Sequence, residues 1–239
     1  MAVAVRVEHL RKAFGRVVAV EDVTLEVYEG EVFGLIGPNG AGKTTTLRMI
    51  AGLVKPDSGR VAVMGLDPFK EPGEVKRVLG YLPEEADVYT RLTGLEHLKF
   101  YASIYGGDVD ETVRYGAAVS GLGGDLYKKA GEYSKGMKRR LLLSLVLMRR
   151  PKIAILDEPT SGLDVYSSIK VRDLIKAFAR ENRSTIILSS HNMLEVEYVC
   201  DRVAFINKGR VVEVGSPSDL KSRYGASNLE EVFVKATGG

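Results

Sequence analysis

The chain holds one cysteine, Cys200, in 239 residues. That excludes an internal disulfide and any cysteine-cluster metal site, and it fits a reducing compartment. Its three histidines, His9, His97 and His191, are too scattered to suggest zinc. No apolar run approaches the ~20 residues that a bilayer helix needs, and the greasiest stretch, residues 141–148, is interrupted by Ser144. The first residues carry neither the charged segment nor the long apolar run of a signal peptide. Charge is not gathered in a block either. There are 34 basic and 31 acidic side chains, for a net charge of +3, spread along the whole length, which argues against a dedicated nucleic-acid binder. Repeats, low-complexity tracts and linkers are missing, so one domain over residues 1–239 is expected, with nothing left for an appended regulatory unit. This length buries an ample core.

What the chain does contain begins at Gly37. Residues 37–44, Gly-Pro-Asn-Gly-Ala-Gly-Lys-Thr, match GxxxxGK[ST] at every position, directly after the apolar run from Glu31 to Ile36. Gly37, Gly40 and Gly42 allow consecutive backbone N–H groups to turn toward an anion where a side chain would block its approach. Lys43 supplies a point charge for the β and γ phosphates, Thr44 a hydroxyl for Mg²⁺, and the helix expected from Lys43 a positive dipole end. The segment predicts a nucleoside triphosphate site formed by Gly37, Pro38, Asn39, Gly40, Ala41, Gly42, Lys43, Thr44 and Thr45.

Around it the pattern is α/β. Short β-branched runs at residues 3–7, 17–20 and 23–27 predict an antiparallel β subdomain, with Phe14 in its first turn. A helix follows over residues 43–51, then strands near 60–63 and 79–82. Residues 93–148 turn helical, broken by Gly106-Gly107 and by the glycines of 121–124. Strands at 153–156, 185–189 and 203–206 then alternate with helices near 165–180 and 193–200, the rhythm of a parallel sheet with crossover helices. Ser216-Pro217 predicts a helix start, and Asn228 to Glu231 a capping box opening a last helix that packs through Leu229, Val232 and Phe233. The expected fold is a P-loop core with a mainly parallel sheet (residues 1–83 and 150–239, including the antiparallel β subdomain) and an inserted helical subdomain over about 84–149.

Lys152-Ile-Ala-Ile-Leu-Asp-Glu158 is a buried-strand pattern that delivers two carboxylates to the sheet edge where ligands of open α/β sheets bind. Behind a phosphate loop, Asp157 is expected to hold the Mg²⁺ shell and Glu158 to polarise the attacking water. In order, the phosphate loop, the helical insertion, Tyr133-Ser-Lys-Gly-Met137, Asp157-Glu158, Ser161-Gly-Leu-Asp164 and Ser189-Ser-His191 resemble the nucleotide-binding subunit of ATP-binding cassette (ABC) transporters, over essentially the whole chain.

The resemblance implies an ATPase with ATP and Mg²⁺ as cofactors and Lys43, Glu158 and His191 as catalytic residues. His191 would contact the γ-phosphate and link it to Glu158. Phe14 would stack on adenine, the alternative being a buried phenylalanine. Ser161, Gly162, Leu163 and Asp164 would touch a second subunit, a role compatible with a plain turn in which Asp164 caps the next helix. Ser134, Lys135, Gly136 and Met137 would face the ATP of a second copy in a head-to-tail sandwich.

Two departures from the family pattern stand out. Its glutamine after Leu-Pro is Glu84 here, which can still ligate Mg²⁺, so the metal set is Thr44, Glu84 and Asp157. This Pro-Glu version resembles multidrug, lipid or polysaccharide exporters. The signature Leu-Ser-Gly-Gly-Gln is Tyr133-Ser-Lys-Gly-Met137, followed by Lys138, Arg139 and Arg140. That cluster crowds a helix N-terminus and needs a partner: solvent, an acid such as Glu132, or the γ-phosphate held by a second copy. The implied partners are a polytopic membrane permease and a second nucleotide-binding subunit, identical or related, with no nucleic acid. The implied location is cytoplasmic, on the inner membrane face through that permease. Docking is expected beside residues 84–105, where Tyr89, Leu92, Leu95, Leu98 and Phe100 offer apolar surface, some of it core instead because Leu95 and Leu98 fall at helical spacing. A soluble cassette ATPase, as in iron–sulphur assembly, is the alternative. Nothing in these residues encodes a substrate.

Overall fold

The computed structural model describes residues 2–238. Strands β1 (Val3–Phe14) and β2 (Val17–Tyr28) form one long antiparallel hairpin. The separate short strands expected at 17–20 and 23–27 are therefore a single strand. The polar pair Glu21-Asp22, which reads locally as a break, is held extended because both N–H groups donate to the Gly209 carbonyl, at 2.9 and 3.1 Å. Likewise β1 runs on past residue 7, so Phe14 closes a strand and the turn is Gly15-Arg16.

Next come β3 (Val32–Ile36), α1 (Lys43–Ile50), β4 (Ser58–Val63), α2 (Pro72–Val78) and β5 (Leu79–Leu82). The seven-residue helix α2 escaped the sequence reading because only Val75 is buried in it, so it leaves no periodic pattern. Helices α3 (Gly94–Tyr105), α4 (Val109–Ser120) and α5 (Lys135–Leu147) follow, then β6 (Ile153–Leu156), α6 (Val165–Asn182), β7 (Thr185–Ser190), α7 (Met193–Val199), β8 (Arg202–Asn207), β9 (Arg210–Gly215), α8 (Pro217–Tyr224) and α9 (Leu229–Thr237). The sequence reading had no β9. Its residues are only half-buried, and it pairs back on β8 through the tight turn Lys208-Gly209.

Among the described residues the strands make one curled mixed sheet in the order β4-β1-β2-β9-β8-β3-β7-β6-β5. The run β8-β3-β7-β6-β5 is wholly parallel, and the β1 hairpin, β4 and β9 supply the antiparallel pairings. Buried on both faces, the central strands read as continuous apolar runs whose alternate residues serve two cores. Phe33, Leu35, Ile153, Ile155 and Ile187 join α1 and the hairpin on one side. Ile36, Ala154, Leu156, Ile186 and Leu188 join α5, α6 and α9 on the other.

The last helix packs as predicted, with Leu229 and Val232 buried and the Phe233 ring 5.5 Å from that of Phe205. Its start differs in one arm. Asn228 accepts from the Glu231 N–H at 2.9 Å, but the Glu231 carboxylate accepts from Ser227, N–H and hydroxyl, rather than from Asn228. A full reciprocal box occurs instead at Thr93 and Glu96, opening α3.

Candidate nucleotide site

The phosphate loop leaves the C-terminal end of β3 at the centre of the sheet, between β8 and β7. A side chain at position 37 would collide with the Ile206 carbonyl of β8, and Gly42 sits at φ 105° against Ala19 of β2. Glycine is therefore demanded at both positions by neighbouring strands as well as by a ligand. Helix α1 opens without a side-chain cap, which leaves its first N–H groups to an anion.

Lys43 turns back over the loop. Its ammonium donates to the Gly37 carbonyl at 2.7 Å and the Pro38 carbonyl at 3.3 Å, and lies 3.3 Å from Glu158 Oε1. Asp157 and Glu158 arrive from β6. Asp157 Oδ1 accepts from the Thr44 hydroxyl at 3.1 Å and the Ser189 hydroxyl at 2.6 Å, whereas Oδ2 is buried with no partner. A buried carboxylate oxygen without a donor is costly and fits a cation. Among the described residues no group of three His, Cys, Asp or Glu side chains is placed to hold a metal by itself. An ion beside Asp157 and Thr44 would therefore draw further ligands from phosphate oxygens and water, the manner in which Mg²⁺ is usually held.

Glu158 has φ 47°, a left-handed conformation that costs a residue with a Cβ about 1–2 kcal/mol. Its backbone is tied on both sides: the N–H donates to Ser189 Oγ at 2.9 Å, and the carbonyl accepts from Ser161 N–H at 3.1 Å and Arg139 Nη2 at 3.2 Å. The turn aims the carboxylate between Lys43 and His191, whose Nδ1 is 2.8 Å from Oε2. The sequence had set Ser189 in a motif without a role. Here it ties Asp157 to Glu158, a link that only the packing of β7 beside β6 reveals.

Pro38 to Thr45, Val17, Val18, Ala19, Glu84 and Glu158 line an open cleft of about 440 Å³. Phe14 is outside this lining. It is the cross-strand partner of Val17, its ring 52% exposed with the Lys12 ammonium 5.5 Å from the centroid. The alternative of a buried phenylalanine is thereby removed.

The loop of residues 134–137 does not reach this cleft. Ser134 caps α5 by accepting from Met137 N–H at 3.2 Å. Gly136 faces Ser167 at the start of α6, and Lys135 lies over Gly162. Asp164 caps α6 through Ser167, whose N–H and hydroxyl hold its carboxyl below the usual range. Thus Ser134 to Met137 and Ser161 to Asp164 lie against each other within one chain. With Glu84, Glu85 and Lys138, Lys135, Ser161 and Leu163 border a second cleft of about 400 Å³.

The basic cluster divides in a way the sequence did not anticipate. Arg139 is buried and donates to the carbonyls of Glu84 and Glu158. Arg140 donates to the carbonyls of Ser120 and Gly121 and caps α4. Two of the four charges therefore have hydrogen-bond partners inside the chain, and neither solvent, Glu132 nor a second copy accounts for them. Lys135 and Lys138 remain on the second cleft, Lys138 at 3.9 Å from Asp87.

A strand, a glycine loop and an uncapped helix, faced by an Asp-Glu pair from a parallel strand, define a P-loop nucleoside triphosphatase. The comparisons narrow the class. The family described as ABC transporter matches residues 20–161. The linearmycin resistance ATP-binding protein LnrL of Bacillus subtilis is 38% identical over 230 residues, covering 95% of this chain and 74% of that protein. ABC transporter A family member 5 of Arabidopsis thaliana is 43% identical over 215 residues, or 87% of this chain and only 23% of that longer protein. A solved structure described as the ATP binding subunit of an ABC transporter superposes with a TM-score of 0.84 at 30% identity, covering 98% of this chain and 99% of the other. The chain belongs to the ABC transporter ATP-binding family. Among its described residues no helix is long and apolar enough to cross a membrane.

Proposed function

We propose that this chain is the MgATP-hydrolysing motor of an exporter, working with a separate membrane-spanning permease. One observation carries the enzymatic part: the Glu158 carboxylate stands at the phosphate cleft with Lys43 on one oxygen and His191 on the other. When a triphosphate enters, its oxygens replace the Gly37 and Pro38 carbonyls and Glu158 as acceptors for Lys43. Glu158, released from Lys43 but held by His191, then takes the proton of the attacking water. His191 keeps that carboxylate oriented and presents its other ring nitrogen toward the γ-phosphate. Thr44, Asp157 and Glu84 would hold Mg²⁺, which would supply positive charge to the phosphates. Phe14, beside the Val17 edge of the cleft, stacks on the base.

Completion of the site by a second copy is supported by what this chain leaves unused. The Ser134 end of α5 and Lys135 are excluded from the chain's own phosphate cleft, and a helix N-terminus with a cation beside it suits a γ-phosphate. Export is supported by the Pro83-Glu84 pair and by a relative named for resistance to linearmycin, since resistance is a task that outward pumping performs. Copurification after mild detergent extraction of native membranes tests the assignment. A polytopic partner is expected, and recovery with soluble proteins alone overturns the transporter reading while leaving the ATP chemistry intact.

A further inference from the structure

Arg139 occupies the second turn of α5 with its side chain buried. Its Nη2 donates to the Glu84 carbonyl at 3.3 Å and to the Glu158 carbonyl at 3.2 Å, and Nη1 is buried without a partner. These two carbonyls belong to the residues that bring carboxylates to the phosphate cleft from the ends of β5 and β6. A guanidinium with so few acceptors is expensive to bury, and packing alone would be served better by an apolar side chain. The compensation is electrostatic: Glu84, Asp157 and Glu158 all favour the Arg139 charge, against the burial that pulls its pKa down. Three acidic groups thus converge on a cleft that must also accept a triphosphate. Arg139 is the cation that reaches them from α5, through the Glu84 and Glu158 carbonyls.

We propose that Arg139 is a positioning residue for ATP hydrolysis: one nitrogen pins the backbone of Glu84 and Glu158, and its buried charge offsets the acidic groups of the cleft. This rests on the reading of the cleft as a MgATPase. Without Arg139 the Glu158 turn, which stands at φ 47°, loses the bond that ties its carbonyl to the Glu84 segment, while residues 37–45 that receive the triphosphate are untouched. The loss should therefore fall on turnover and not on MgATP binding.

The test is steady-state ATP hydrolysis by the full chain with kcat and KM resolved, kcat being taken per MgATP-binding site counted by isothermal titration. Arg139→Gln should lower kcat tenfold or more and change KM for MgATP less than threefold. Arg139→Lys keeps the charge and loses the fork, so it should recover part of that loss and stay several-fold below the unsubstituted chain. An unchanged kcat per binding site in Arg139→Gln overturns the proposal whatever the loss of total activity, because partial unfolding lowers the number of sites without slowing those that remain. Should Arg139→Gln fail to fold, Arg139→Lys decides, and an unchanged kcat there overturns it. Failure of the unsubstituted chain to bind and hydrolyse MgATP would remove the function itself, a result read without any Arg139 variant.

Discussion

The ammonium of Lys43 lies 3.3 Å from Oε1 of Glu158, with both side chains buried. The loop lysine is thereby neutralised by the very carboxylate proposed to activate water, so nucleotide entry and release of Glu158 are one event. The two residues should then fail in different ways. Lys43→Ala removes charge-assisted hydrogen bonds worth about 1.5–3 kcal/mol, which raises the MgATP Kd about ten- to a hundredfold. Glu158→Gln removes both a competitor for Lys43 and a negative charge near the triphosphate. It should bind MgATP at least as tightly as the unsubstituted chain while turnover falls about 10²–10⁴-fold. Isothermal titration beside steady-state kinetics separates the two. Equal loss of binding in both would end the assignment of Glu158 as base.

Ser189→Ala breaks the bridge from Asp157 Oδ1 to the Glu158 N–H. The substitution leaves a buried N–H and a carboxylate oxygen short of partners, at a cost of about 1–3 kcal/mol. Freed from Ser189, Asp157 is less well held to meet a cation. The expected outcome is a lower Tm together with a several-fold rise in the Mg²⁺ concentration for half-maximal hydrolysis. A magnesium titration with the half-activation point unchanged would make Ser189 a purely structural residue.

The Ser189 bridge also marks where the sequence stops being legible. The phosphate loop, the Asp157-Glu158 strand and the parallel core could be read locally, because glycine spacing and continuous apolar runs are imposed by the ligand and by double burial. β9 and the unbroken β2 could not. Each depends on a partner distant in the chain: Gly209 holds Glu21 and Asp22 extended, and β9 is half-exposed. The basic residues after Met137 misled for the same reason. Arg139 and Arg140 look like surface charge by composition, but they reach carbonyls of Glu84, Glu158, Ser120 and Gly121 that no local pattern announces.

The Thr93–Glu96 box makes the stability of α3 depend on pH. The Glu96 carboxylate accepts from the Thr93 N–H at 2.7 Å and its hydroxyl at 2.9 Å, which holds its pKa below the ordinary 4.5. A carboxyl with a depressed folded pKa stabilises fully above its unfolded value. That contribution is lost as pH falls through the lower, folded one. Glu96→Gln, which keeps an acceptor without the charge, should therefore be less stable than the unsubstituted chain at neutral pH. The gap should narrow as the pH is lowered below 4.5 and the box protonates. Urea midpoints over a descending pH series check this, and a gap that stays constant into acid would exclude the ionised box as its source.

Ser134 caps α5 but lies outside the lining of its own phosphate cleft, so the head-to-tail arrangement proposed above predicts an association that depends on nucleotide. Glu158→Gln in saturating MgATP should run as a dimer by light scattering, since ATP is held and not turned over. Without nucleotide it should be a monomer. Adding Ser134→Arg places a long side chain where the other copy's phosphate must come, and should restore the monomer. Because residues 37–45 are untouched, the monomer should still load with ATP at saturating concentration, with an affinity lowered only by the lost contribution of the second copy. A monomer in both variants with nucleotide bound would mean that the isolated chain does not close on ATP. A dimer in both would place the contact elsewhere than at Ser134.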